Sequence, residues 1–320
     1  MGHGRLSRIF ATAILLIASS APWADAVEPP KPFPVVPLPF WPFGKQDKSV
    51  ALNQADTQSP RNAKSAIIKA SASQAEQTTP GTPDPATDPG LLATKAVAAY
   101  ESLNGCILRF TRRENLGKGI KPEETVLLKM RREPFAVHMK WLDTDAQGRQ
   151  IIYNRATDEN AMQVITASGD IPLIGGNRRM KVDINSNMAK GSTRYSITDS
   201  GYGGAVLRYR KVVEDWQRGA LPQGNIKSLG LVVRPEFPAK QAAVEMTFPP
   251  GYDPHFPRGA KRLICFSTES GLPTILTTWD ENGLELEFYK FDRAFPLPLD
   301  DADFDPDRLW LPAVGKSTPK

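Results

Sequence analysis

Histidine and cysteine are almost missing from this chain, with three of the first and two of the second in 320 residues. Zinc sites and thiol redox pairs need clusters of these side chains, and neither Cys106 nor Cys265 has the spacing of such a motif. His138 and His255 are the only histidines after residue 26. A catalytic histidine needs a nucleophile, a metal or an orienting acid beside it, and neither local sequence supplies one. There is no G-x-S-x-G elbow, no P-loop and no H-E-x-x-H helix. The IGGNRR stretch, residues 174–179, is glycine-rich but lacks phosphate-loop spacing and follows no βα unit. A strong excess of one charge is also lacking. The formal net charge is +5, with both signs interspersed, which argues against a nucleic-acid footprint. No cofactor is implied, and the chain is read as non-catalytic.

What is present begins with an export pattern. Arg5 and Arg8 precede the apolar run Ile9 to Ser19, and Ala24-Asp25-Ala26 forms a small-x-small cleavage site. The run is shorter than the roughly 20 residues that cross a bilayer. Residues 1–26 are therefore expected to be a signal peptide cut after Ala26, placing the protein in the periplasm or cell envelope without a transmembrane span. Oxidising conditions there permit a disulfide between Cys106 and Cys265, and two buried thiols are the equal alternative.

Residues 27–43 carry seven prolines, which favour polyproline II over packed structure. From Gly44 to Gly90 the composition turns to Gln, Ser, Thr, Ala, Asp and Pro, too polar to offset its ordering entropy. Residues 27–90 thus read as a Pro-rich disordered tether, residues 91–311 as the folded domain, and 312–320 as a disordered tail. The domain opens with a helix over LLATKAVAAYESL, stopped at Asn104-Gly105. Period-two alternation follows. Cys106, Leu108 and Phe110 share one strand face against Arg109, Thr111 and Arg113, while the arginine pairs 112–113 and 131–132 are expected on solvated strand faces or ends. GRQIIYNRA, NAMQVIT, KSLGLVV, AAVEMTF and AKRLICFS are further strands. Turns at Ser270-Gly271 and Asn282-Gly283 separate LICFSTE, PTILTTWD and LELEFYKF. A second helix is expected after SITDSGYGG, capped by Ser200, carrying Val206, Tyr209, Val213 and Trp216, and closed by Gly219. The result is an α+β domain, a long, strongly curved antiparallel sheet with helices on its apolar, concave face.

In EPFAVHMKWL, Phe135, Val137, Met139 and Trp141 point one way, while Ala136, His138 and Lys140 point the other. His138 is expected as a partly exposed strand residue. The acidic segment Asp300, Asp301, Asp303, Asp305 and Asp307 lacks an ordered calcium loop and is assigned a solvated or capping role. The apolar, glycine-containing stretch 168–188 stays unassigned, either a lid or a loop.

LNGCILRFTRRE, KPEETVLLKMRREPFAVHMKWL, SITDSGYGG and FDPDRLW together resemble the exported bacterial domain-of-unknown-function family numbered fifteen seventy-one. More distantly, the order of elements is similar to the LolA/LolB-like lipoprotein carriers. That resemblance implies a half-open sheet with helices plugging its concave side, and brings no catalytic residues. Three readings follow. In the first, the sheet binds a hydrophobic ligand, a lipid or a lipoprotein acyl chain. Its lining would be Leu108, Phe110, Met130, Met139, Trp141, Val244, Met246, Phe248 and Trp279. The same row would also suit an ordinary dry core. In the second, the chain is a structural module that meets an envelope protein partner through 27–90. The third is an unrecognised hydrolase using His138 and His255.

Overall fold

The computed structural model describes residues 85–117, 119–170, 176–222 and 225–310, with the side chains of Pro85 and Asp145 excepted. The expected signal peptide, most of the tether and the tail lie outside the described residues. A short 3-10 turn at Pro85–Thr87 precedes helix α1, Pro89–Ser102. Asp88 caps that helix by accepting the Leu91 N–H at 2.9 Å, with Pro89 at the first position, where a missing donor is harmless. Helical structure thus starts two residues before Leu91, and Thr87 is fully buried.

Strands β1 (Gly105–Glu114), β2 (Glu124–Arg131), β3 (Ala136–Trp141), β4 (Gln150–Asn154), β5 (Ala161–Ile165) and β6 (Arg179–Asp183) form one meander. A four-residue turn of helix, α2 (Asn187–Lys190), and helix α3 (Tyr202–Gln217) follow. A second meander comprises β7 (Ile226–Arg234), β8 (Phe237–Phe248), β9 (Ala260–Ser267), β10 (Pro273–Trp279) and β11 (Glu285–Pro296). One turn of helix, α4 (Pro306–Leu309), ends the described chain. All pairings are antiparallel, and the order is β6-β5-β4-β3-β2-β1-β11-β10-β9-β8-β7. The sheet is open, because β6 and β7 are its two edges.

This topology explains why the helices lie on one face. The chain leaves β6 at one edge and must reach β7 at the other. At roughly 4.8 Å per strand, that is about 50 Å across the sheet. The crossing segment, 184–225, carries α2 and α3. Helix α3 buries Val206, Tyr209 and Val213 against the concave side, and the Tyr209 hydroxyl donates to the Pro89 carbonyl at 3.0 Å, tying α3 to α1. Gly201, at φ 74°, is the N-cap in place of the expected Ser200. Only glycine takes that backbone freely, and a Cβ there would stand 2.7 Å from the Met130 sulfur. At Gly203 a Cβ would lie 2.6 Å from the Tyr100 hydroxyl, so the glycine lets α1 and α3 close up. Gly219, at φ 77°, follows the end of α3 as expected.

Leu108, Val126, Leu128, Val137, Val206, Val244 and Ile264 belong to one continuous buried cluster on the concave side. The outer face has two smaller clusters. Ala243, Leu263, Cys265, Ile275 and Phe288 form one, with Trp279 against it. Ala136, Ile152 and Phe304 form the other, covered by Leu299, Leu309 and Trp310. The acidic segment is a strap over this second patch. Asp300 and Asp305 cap its helical turns, Asp301 meets Arg131 at 2.7 Å and Asp303 meets Lys129 at 3.3 Å.

Several expectations change. The strap buries His138, which is not a partly exposed residue. Within the unassigned stretch, Arg179–Asp183 is an edge strand, with 171–175 outside the described residues. The two cysteines are free and buried, Cys106 in the concave core and Cys265 in the outer cluster. Opposite faces of the sheet, with β11 and β10 between their strands, keep the thiols apart.

Candidate functional site

The concave face is not filled evenly. Helices α1 and α3 close part of it, where Val206, Tyr209 and Val213 join the core. A cavity of about 930 Å³ remains, lined mainly by β1, β3 to β6 and β11 and roofed by the crossing segment and the first turns of α3. Its apolar wall comes from alternating residues: Met139 and Trp141 on β3, Ile151 on β4, Met162 and Val164 on β5, Met180 and Val182 on β6. Phe110, Tyr289 and Phe291 form the wall toward the sheet centre, with Phe110 and Phe291 stacked at 5.2 Å. Four methionines among the lining residues give a surface that adapts to chain-like ligands.

Of the residues expected to line a ligand site, Phe110, Met139 and Trp141 face this cavity. Leu108, Met130, Val244, Met246 and Phe248 share the concave face but are packed in the core, away from the void. Trp279 is on the opposite side, in phase with Ile275. Sequence reasoning missed the contribution of β5 and β6. Met180, Val182 and Ile184 alternate there, but the signal was masked by the arginines around them.

The cavity also has charge inside it. Beyond Phe110 the inward phase of β1 continues to Arg112 and Glu114, so Arg112 lines the void rather than lying on a solvated face. Glu124, at the start of β2, accepts from Arg112 Nε at 2.8 Å and from Arg149 Nη1 at 3.1 Å. Arg149 is also held by Asp170. The two guanidinium groups flank the Trp141 ring at 5.7 and 5.2 Å. Burial alone would raise the Glu124 pKa, yet Arg112 beside it holds the carboxyl below its usual value.

A second network anchors the roof to the floor. Glu287, fully buried on β11, accepts from Thr278 Oγ1 at 2.8 Å, Arg262 Nη2 at 2.8 Å and the Tyr195 hydroxyl at 3.1 Å, with Arg194 Nε 3.3 Å away. Arg194 also donates to the carbonyls of Asn115 at 2.7 Å and His255 at 3.0 Å. Burial pushes the Tyr195 and Tyr289 hydroxyls up, and the latter donates to Glu114.

The two candidate histidines stand apart. His255 lines the cavity with its ring edge on Tyr195 at 4.7 Å, and burial lowers its pKa. His138 is on the outer face, where Nε2 meets Gln150 Oε1 at 2.9 Å, an oxygen that also accepts from Trp310 Nε1 at 3.0 Å. Burial lowers the His138 pKa as well. The sheet lies between the two rings, so they form no joint site. Among the described residues no group of three or more His, Cys, Asp and Glu side chains could hold a metal ion. No described helix is long and apolar enough to cross a membrane.

A family described as a protein of unknown function, DUF1571, matches residues 104–309. No curated protein matches. Among solved structures, the lipoprotein LppX of Mycobacterium tuberculosis is 14% identical with a TM-score of 0.38, covering 67% of this chain and 100% of its own. A LolA-superfamily protein from Nitrosomonas europaea is 10% identical at a TM-score of 0.30, covering 68% and 96%. The MucA/MucB complex of Pseudomonas aeruginosa gives 10% identity at a TM-score of 0.36, covering 68% of this chain and 60% of that one. Likeness at this level carries no argument about function.

Proposed function

The chain belongs to the DUF1571 family of proteins of unknown function, and we propose that it is a non-catalytic exported protein that holds a hydrophobic ligand, a lipid or lipoprotein acyl chain, in its concave cavity. The observation that carries this reading is the 930 Å³ void between the β1–β6 half of the sheet and the crossing segment. A void of that size lies near the top of the range for small-molecule sites, and an interior packed like an organic crystal would not leave it. Its methionine and aromatic walls suit a flexible alkyl chain. The export pattern at residues 1–26 supports a periplasmic or envelope location, with the segment from 27 up to the helical turn at Pro85–Thr87 as the tether and as a contact for an envelope partner.

Native mass spectrometry of the full chain, recovered from its own envelope under several extraction conditions, tests the reading. Wild-type protein should carry an adduct of lipid mass. Ala205→Phe, which projects a ring from α3 into the void, should lose that adduct while keeping its melting temperature within a few degrees. Bare wild-type protein under every condition would overturn the proposal.

A further inference from the structure

One end of the cavity is chemically unlike the rest. The end of β1, the start of β2 and the 190–193 segment meet there, and two cations have donors to spare. Arg112 has five N–H donors, and among the described residues hydrogen bonds engage only Nε, to Glu124. Glu114 is 3.8 Å from Nη1, outside hydrogen-bond range. The remaining guanidinium donors open on the void, for none is a buried atom without a partner. Lys121 Nζ makes one bond, to the Ser192 carbonyl at 2.8 Å, and forms no ion pair among the described residues. Burial lowers its pKa, and the neighbouring Arg112 charge adds to that shift against the opposing pull of Glu114 and Glu124. Lys121 is pinned beside the end of β1, where its backbone N–H donates to the Glu114 carbonyl at 3.0 Å, and its side chain lines the same cavity as Arg112.

The carboxylates nearby are already engaged. Glu124 serves two arginines. Glu114 accepts from Thr193 Oγ1 at 3.2 Å, Arg194 N–H at 3.3 Å and Tyr289. Arg149 differs from Arg112 in the same way, since Asp170 and Glu124 take up its donors. Across the whole lining, seven Lys and Arg side chains face four carboxylates, with Glu287 a fifth behind Arg262. Free donors, surplus positive charge and partial burial converge where the apolar channel meets the charged rim.

We propose that Arg112 and Lys121 bind the anionic headgroup, phosphate or carboxylate, of a single amphiphile whose alkyl chain lies along Met139, Ile151, Met162 and Val164. This rests on the hydrophobic-ligand reading above and names the ligand class for the same cavity. Arginine presents a planar fork and lysine a point charge, a pair that can hold two oxygens of one phosphate.

The test uses delipidated full chain and tail-matched single-chain probes: a lysophosphatidylglycerol, a fatty acid and a neutral monoacylglycerol. Wild type should bind both anionic probes at least about tenfold more tightly than the neutral one, as expected for charge-assisted hydrogen bonds in a partly dry site. That preference should shrink as salt is raised. Lys121→Gln touches only one backbone carbonyl and should fold normally. It should lose most of the preference with neutral binding unchanged. Arg112→Gln should do the same, and its melting temperature reports separately on the lost Glu124 pair. Equal wild-type binding of all three probes, or an undiminished preference in both variants, would overturn the headgroup assignment and leave the cavity reading standing. No binding of any probe would overturn both. Displacement of the anionic probes by equimolar inorganic phosphate would show a free-anion site and reject the amphiphile.

Discussion

Removing the charge on Glu287 gives the sharpest test of how the roof of the cavity is held. This carboxylate is fully buried and contacts four partners drawn from β9, β10 and the crossing segment. Glu287→Leu would leave the guanidinium of Arg262, a residue only 3% exposed, without its counter-charge. It would leave Arg194 in the same condition. Breaking a buried pair by deleting one partner costs about 3–5 kcal/mol, because the remaining charge stays desolvated. Against a total of about 5–15 kcal/mol for a native domain, that is about a fifth of the stability or more. Glu287→Gln keeps an acceptor for Thr278 and Tyr195 and should cost less, about 1.5–3 kcal/mol. The paired change Arg262→Met with Glu287→Leu removes both charges and should recover at least about 2 kcal/mol relative to the sum of the singles. Urea unfolding followed by tryptophan emission at neutral pH measures the wild type, both Glu287 variants, Arg262→Met and the double variant. Additive losses in the double variant, or single losses under about 1 kcal/mol, would refute the claim that this network bolts the crossing segment to the sheet.

Three further outcomes are expected. Gly203→Ala places a methyl 2.6 Å from the Tyr100 hydroxyl and should destabilise by about 1–3 kcal/mol in the same unfolding assay, whereas a neutral result would mean α1 and α3 have room to part. The Asp215 carboxyl is held down from 3.8 to about 2, first by Lys211 and then by the Tyr252 hydroxyl, each at 2.6 Å. Its contribution is therefore complete above about pH 4 and is lost as pH falls through 2; Asp215→Asn should flatten the stability curve between those values, and an unchanged slope would assign the acid sensitivity elsewhere. Burial pushes the Cys106 and Cys265 thiols up to about 12, so a thiol reagent should titrate both in denaturant and neither in native protein, with melting unaffected by reductant; a chain with no titratable thiol would contradict the placement on opposite faces.

Much of the fold was legible because its signals are local. Alternation in Cys106–Phe110 and Val137–Trp141 identified both strands and their inward faces, and Gly219 marked the end of α3. The site was legible only in part, for two physical reasons. Alternation tells which face a side chain takes but not whether a helix covers it, so Met246 and Met139 look alike in sequence although one is core and the other lines the void. The charge of Arg112 argues for solvent while the period of its own strand, continued two residues past Phe110, turns it inward, and the period wins. His138 is buried under the 299–310 strap, far along the chain, whose Trp310 donates to the same Gln150 oxygen that meets the His138 ring. Nothing local signals that strap.

The seam between β1 and β11 has a consequence for biogenesis. Arg109 and Asp292 sit side by side there although 183 residues separate them. Until the last strand emerges, the middle of the sheet is an unmated edge, and the two meanders have nothing to zip together. Such remote pairing is slow. On the export route proposed above, that delay is an advantage: it would keep the polypeptide unfolded while it crosses the membrane, with the seam closing on the far side.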